Sequence, residues 1–260
     1  MIKAVIFDVG GTLFKSDSVE KDREVKAGQK LLEFFKKNGI VLKLTPQQVA
    51  DAMTLGEKKF KQWSKNDGNS IDISPYELFS NWVFKDVLKK EDLLRLKIIS
   101  PNAINLWKMC GTPDIRVGCA KMLADLYKQG FKLGIISNTT SFTNVVIRLF
   151  KNKIYQYFDE DSIFLSCSSQ YRKPGTEIFK AAADTIGFKT SEVAYVGDRI
   201  SKDVVGSRDA KYGASIRILP EKYSEMEEGQ EKNDTKYLIK SLSELAPLLK
   251  QINKPSKVKK

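Results

Sequence analysis

A run of four apolar residues, Ala4-Val5-Ile6-Phe7, delivers a carboxylate, Asp8, straight into a turn that holds the glycine pair Gly10-Gly11. A short apolar run closed by glycines reads as a strand buried on both faces, the kind found in parallel sheets. Glycine at the turn lets backbone approach a ligand or another chain segment closely. In open parallel sheets, ligands bind beyond the carboxyl ends of the strands, which is where Asp8 would stand. By itself the pattern also describes an ordinary strand end beside a glycine turn, so the rest of the chain must decide.

Residues 15 to about 110 carry helical periodicity and few strand signals. A first helix is expected over Val19–Asn38, burying Ala27, Leu31, Leu32, Phe34 and Phe35, with Gly39 ending it. Thr45-Pro46 with Gln48 starts a second, running to about Lys65, and 66–70 reads as a turn-rich loop. Ser74-Pro75-Tyr76-Glu77 is a further start signal, with the stripe Leu78, Phe79, Trp82, Val83, Val87 and Leu88 behind it. More helix is expected from Glu91 to about Leu96, with an exit near Ser100-Pro101. The tryptophans at 63, 82 and 107 read as core of this region rather than as pocket walls.

From Thr112-Pro113 onward, helix and strand alternate. Helices are expected over Ile115–Lys128, Phe142–Phe150, Lys173–Ile186 and from Asp198 to Tyr212. Strands are expected over Phe131–Ile136, Ile163–Ser166, Val193–Val196 and Ala214–Leu219. The polar run Glu221–Asp234 reads as a loop, followed by a strand at Tyr237–Ile239 and a helix started by Ser241–Glu244. Such alternation predicts an α/β fold with a parallel sheet and helices on both faces.

The chain contains no histidine among its 260 residues, which excludes Ser-His-Asp and Cys-His catalysis and histidine-ligated metals. Chemistry must run on carboxylates, lysines, hydroxyls and backbone groups, a set suited to hard cations such as Mg²⁺. Cys110, Cys119 and Cys167 have no ligand spacing and read as reduced thiols. A net charge of +12 favours anionic partners, but the lysines are mixed with acids except in the tail from Lys254 to Lys260. A small phosphorylated molecule fits that pattern better than a nucleic acid. No apolar run approaches the length needed to span a membrane, and no leader pattern opens the sequence, so a cytoplasmic protein is expected.

Four strand ends carry polar groups that a parallel sheet would bring to one edge: Asp8 with Thr12, Ser137 with Asn138, Lys173, and Asp198 with Asp203. Asp8 can act as a nucleophile, Ser137 and nearby N–H groups can bind phosphoryl oxygens, and Lys173 can balance charge. Asp198 and Asp8 together can hold Mg²⁺. In this order the segments Phe7-Asp8-Val9-Gly10-Gly11-Thr12-Leu13, Ile135-Ile136-Ser137-Asn138, Lys173-Pro174-Gly175-Thr176-Glu177-Ile178-Phe179 and Tyr195-Val196-Gly197-Asp198-Arg199 with Asp203 resemble the four motifs of the haloacid dehalogenase-like (HAD) hydrolase superfamily.

That resemblance implies a Rossmann-like parallel-sheet core, residues 1–15 and 112–260, with an α-helical cap domain inserted at 16–111. It also implies an aspartyl-phosphate on Asp8, assisted by Lys173. Phosphate would be bound by Gly11, Thr12, Ser137, Asn138 and Lys173. Mg²⁺ would be held by Asp8, the Gly10 carbonyl and Asp198, with Asp203 behind them. Most phosphatases of the family carry a second aspartate two residues after the nucleophile, as the acid that protonates the leaving group; here that position is Gly10. Three readings stay open on the sequence: a Mg²⁺-dependent phosphatase of a small substrate, a catalytically impaired binding protein of the same fold, and a 2-haloacid dehalogenase. Lys15, Asp17 and the 66–70 loop are candidates to replace the missing acid.

Overall fold

In a computed structural model, residues 1–15, 21–66, 71–109, 114–219 and 235–254 are described. Six strands form one parallel sheet in the order β3-β2-β1-β4-β5-β6. They are β1 (Ala4–Phe7), β2 (Lys132–Ser137), β3 (Ile163–Leu165), β4 (Val193–Gly197), β5 (Ala214–Ile218) and β6 (Tyr237–Ile239). The first strand lies between β2 and β4, and all four of its residues are buried. This is the arrangement that an uninterrupted apolar run requires.

Helices α5 (Cys119–Lys128), α6 (Phe142–Lys151) and α10 (Leu245–Ile252) join the sheet residues Val5, Phe7 and Leu133 in one apolar cluster. On the other face, α8 (Thr176–Thr185) packs Ile178, Phe179 and Ala182 against Ile6 and Tyr195. The short α9 (Val205–Asp209) fits beside α8 through Gly206, where a Cβ would lie 2.4 Å from the Phe179 ring. The remaining short helix, α7 (Ser166–Ser169), follows β3 directly.

A separate apolar cluster is built entirely from residues between 31 and 107. It joins α1 (Lys21–Lys37), α2 (Pro46–Asn66), α3 (Pro75–Glu77) with the π-helical turn Leu78–Val83 that continues it, and α4 (Leu93–Met109). Leu31, Phe35, Phe79 and Phe84 are its fully covered centre. The Ser74 capping box is present as read, with the Glu77 N–H donating to Ser74 Oγ at 3.2 Å and the Ser74 N–H to Glu77 Oε2 at 2.8 Å. Chain exit and return run side by side: Phe14 bridges Ile115, and the Lys15 N–H donates to the Asp114 carbonyl.

The sequence placed several boundaries wrongly. Pro101 lies inside α4 rather than at its exit. Proline removes the N–H that would reach the Lys97 carbonyl, and the Ser100 hydroxyl donates to that carbonyl instead, at 3.4 Å. Burial of Leu96, Ala103 and Ile104 carries the helix through. Val87 is exposed, because the stripe that begins at Leu78 leaves helical geometry after Val83. Ile115 is not helical; α5 begins only after Gly118, whose φ of 78° breaks the chain direction. The helix expected at Lys173 begins at Thr176, after a cis Lys173–Pro174 peptide. The readings at 16–20, 67–70, 110–113, 220–234 and 255–260, which include Asp17 and Cys110, lie outside the described residues.

Candidate active site

Strands β1, β2 and β4 end at one edge of the sheet, and their register puts Asp8, Ser137 and Asp198 just beyond it. The Asp8 N–H still donates to the Val196 carbonyl at 2.9 Å, so the strand ladder itself fixes the start of the Asp8 side chain. Lys173 reaches the same point from the turn before α8. Its ammonium donates to Asp8 Oδ1 at 2.7 Å, Asp203 Oδ1 at 2.6 Å and the Tyr195 hydroxyl at 2.8 Å. An ammonium has three N–H donors, and these three contacts use all of them. Lys173 lines the cavity, and its side chain holds Asp8 in place.

Asn138 is likewise turned inward. Its amide donates to the Lys173 carbonyl and its Oδ1 accepts from the Lys173 N–H, both at 2.9 Å. The residue read as a phosphate ligand thus clamps the backbone of the lysine turn, with one amide hydrogen and one oxygen lone pair left over. Gly11 lies behind the cavity wall as well. Its φ is +82°, and a Cβ would stand 2.4 Å from Asp198 Oδ2, so the glycine makes room for Asp198. Its carbonyl accepts from Arg116 Nη1 at 2.6 Å. Thr12 is fully buried, and its hydroxyl has no hydrogen-bond partner among the described residues.

The carboxylates of Asp8, Asp198 and Asp203 offer oxygens that lie within 4.8 Å of one another. Asp203 is committed elsewhere: besides Lys173 it accepts from the Tyr195 hydroxyl at 3.2 Å and from the Arg199 N–H at 2.9 Å. By contrast, Asp198 Oδ1 is buried with no partner among the described residues. An orphaned buried carboxylate oxygen facing a second carboxylate is what an oxygen-seeking divalent cation would satisfy. Burial, then repulsion from Asp8 and Asp203, raises the Asp198 carboxyl to about 7. Burial also raises Asp8, against the pull of Lys173. Lys173 would be lowered by burial, but Asp203 and Asp8 prevail and raise it, so it stays an ammonium.

Asp8, Lys173 and Asp203 open on a cavity of about 330 Å³, with Asp198 set behind its lining; the opposite wall comes from the helical layer, through Glu57, Phe60, Lys61, Asp72, Leu78 and Lys108. Asp8, Gly10, Ser137, Asn138, Lys173 and Asp203 all line it. Lys15 does not, nor do the three tryptophans, which stay with the partly buried apolar layer as read. Sequence reasoning missed Tyr195 as a polar member of the site, because a tyrosine inside the apolar run Val193–Val196 looks like core. It missed Arg172, Lys202 and the Glu57 cluster as well, since nothing local marks which helical faces turn toward the sheet edge.

A family model described as haloacid dehalogenase-like hydrolase matches residues 2–211. The chain belongs to that family. It is 28% identical over 258 residues to a protein of Methanocaldococcus jannaschii named glyceraldehyde 3-phosphate phosphatase, covering 98% of this chain and all of that one. A protein of the same name from Methanopyrus kandleri is 24% identical over 254 residues, again covering 98% and 100%. Among solved structures, a HAD phosphatase from Thermococcus onnurineus superposes with a TM-score of 0.55 at 21% identity, covering 95% of this chain and 98% of that one. A 2-haloacid dehalogenase from Pseudomonas syringae superposes at 0.61 and 18%, covering 96% and 99%. The two superpositions establish the shared α/β fold. Among the described residues no helix is long and apolar enough to cross a membrane.

Proposed function

We propose that this HAD-like hydrolase is a Mg²⁺-dependent phosphatase of small phosphate esters, with residues 1–15 and 112–260 as its core domain and 16–111 as a helical cap. The observation that carries the reading is the pairing of Asp8, oriented by Lys173, with the orphaned oxygen of Asp198. The phosphatase names of the full-length relatives support it, and they make glyceraldehyde 3-phosphate the first substrate to test.

In this mechanism a carboxylate oxygen of Asp8 attacks phosphorus. A P–O bond to Asp8 forms as the bond to the ester oxygen breaks, and the leaving alkoxide takes a proton from water. Water then attacks the aspartyl-phosphate, which restores the Asp8 carboxylate and releases inorganic phosphate. Asp8, Asp198 and the Gly10 carbonyl would hold Mg²⁺, which when bound supplies positive charge to the phosphoryl oxygens. Lys173 keeps Asp8 oriented and opposes its protonation, Asp203 and Tyr195 keep Lys173 oriented, and Ser137 presents a buried hydroxyl to the phosphoryl group. Gly10 supplies no proton, and the nearest cavity carboxylates do not replace it. Glu57 is held ionised: burial opposes the charge, but Lys108 at 2.7 Å and Lys61 lower the carboxyl overall. Asp72 accepts from Arg172 at 3.0 Å.

The test is inorganic phosphate release from a panel of triose phosphates, other alkyl phosphates, aryl phosphates and acyl phosphates, with and without Mg²⁺. Release that requires Mg²⁺ and disappears in Asp8→Asn is the expected result. Metal-independent release, or release that survives that substitution, overturns the reading.

A further inference from the structure

The cavity has more positive charge than the scissile phosphate accounts for. Its cationic side chains differ in what surrounds them. Lys173, Arg172, Lys108 and Lys61 each have a carboxylate of the protein beside them: Asp8 and Asp203, Asp72, and Glu57 respectively. Arg148, packed over the Phe14 ring, belongs to the wall of the core. Arg199 is largely exposed and stands 4.0 Å from Asp198. Lys202 is different. It lines the cavity from the π-turn Ile200–Val204 that follows β4, it is partly buried, and among the described residues its ammonium has no hydrogen-bond or ion-pair partner.

Its surroundings make that isolation costly. Burial is the largest influence on Lys202, and the charges of Arg199, Arg172 and Lys173 add to it against a smaller pull from Asp203, bringing the group down to about 8. Divalent metal at Asp8 and Asp198 would increase the positive field, and a phosphate dianion would be matched by that metal. A lysine ammonium that is desolvated among other cations is stabilised most by an anion arriving with the ligand.

Building on the phosphatase reading, we propose that Lys202 binds a second anionic group of the substrate, so that the preferred substrates are short phosphate esters that also carry a carboxylate or a second phosphate. The cavity volume of about 330 Å³ admits a small molecule that carries two such groups. The carboxylates in the wall do not repel the second anion, because Glu57 and Asp72 are each covered by their own cation.

Binding of phosphonates tests this without turnover, since a P–C bond is not hydrolysed. The full chain with Mg²⁺ is titrated calorimetrically with phosphonoacetate, methylenebisphosphonate and ethylphosphonate, which share a phosphonate and differ in the second group. Wild type should bind one or both dianionic-plus ligands at least about tenfold more tightly than ethylphosphonate. Phosphonoacetate being favoured indicates a carboxylate, and the bisphosphonate a second phosphate. Lys202→Met should collapse that ratio toward one, and Lys202→Arg should retain most of it. Equal affinities in wild type, a ratio that survives Lys202→Met in a folded variant, or no binding of any of the three overturns the assignment. Phosphate release from the ester panel is read separately: its absence with a preserved phosphonate preference rejects the phosphatase reading and leaves the Lys202 site standing.

Discussion

On the proposed reading, a proton and Mg²⁺ would compete for the same oxygens at Asp198. The aspartate ionises near 3.8 when unperturbed and at about 7 in the folded protein. A raised carboxyl favours the folded state while it is protonated, so the metal-free protein should lose stability as pH rises from about 4 to about 7. Mg²⁺ bound there would have to displace that proton. Its apparent affinity should weaken by about tenfold per pH unit below about 7 and level off above. Thermal shifts with Mg²⁺ across this range check the point; a shift that does not change with pH removes Asp198 from the ligands. Asp8→Asn should lower turnover by about 10⁴-fold or more, the size seen when a nucleophile is removed, with a near-native melting temperature. Gly10 is outside the left-handed region, and a Cβ there meets nothing within 4 Å. Gly10→Asp should therefore fold, and it should speed alkyl phosphate hydrolysis on the order of 10²-fold while changing acyl phosphates little. Equal rates for alkyl and acyl phosphates in wild type would show that another group already supplies the proton.

Within the helical layer, the closest approach is at Gly28, where α1 meets the start of α2. Glycine to alanine inside a helix ordinarily stabilises by up to about 1 kcal/mol. Here the added Cβ would stand 2.3 Å from the Pro46 carbonyl oxygen, a backbone atom that cannot swing aside. Overpacking decides the sign, and Gly28→Ala should destabilise by about 1–3 kcal/mol in a denaturant titration. The helix boundaries misread from the sequence have the same origin. Local signals at Pro101 and across Leu78–Leu88 were overruled by burial in the layer, which keeps α4 continuous and ends the π-turn early. Capping signals were more dependable, because the Ser74–Glu77 and Thr45–Gln48 boxes are closed by bonds three residues apart.

The two apolar clusters are tied across the cavity by Asp72 and Arg172, a buried pair at 3.0 Å, with Arg172 also lying over the Phe60 ring. Arg172→Gln would leave the Asp72 carboxylate buried with the Ile73 N–H as its remaining donor, at 2.9 Å. The expected loss is about 3–5 kcal/mol of stability, read from chemical denaturation. A change below about 1 kcal/mol would mean that water reaches the pair freely. The alternation of helix and strand signals, with the buried run Ala4–Phe7, dictated the parallel sheet and the sharing of one edge by Asp8, Ser137, Lys173 and Asp198, since parallel strands must all end alike. The absence of histidine likewise confined the chemistry to carboxylates, lysine and hydroxyls. Only the tertiary structure decided that Asn138 clamps Lys173, that Tyr195 joins the polar network, that Gly11 yields space to Asp198, and that Lys202 faces the cavity without a partner among the described residues. Those outcomes depend on contacts between residues far apart in the chain, and on how the layer of residues 31–107 seats over the sheet edge, which no local pattern encodes.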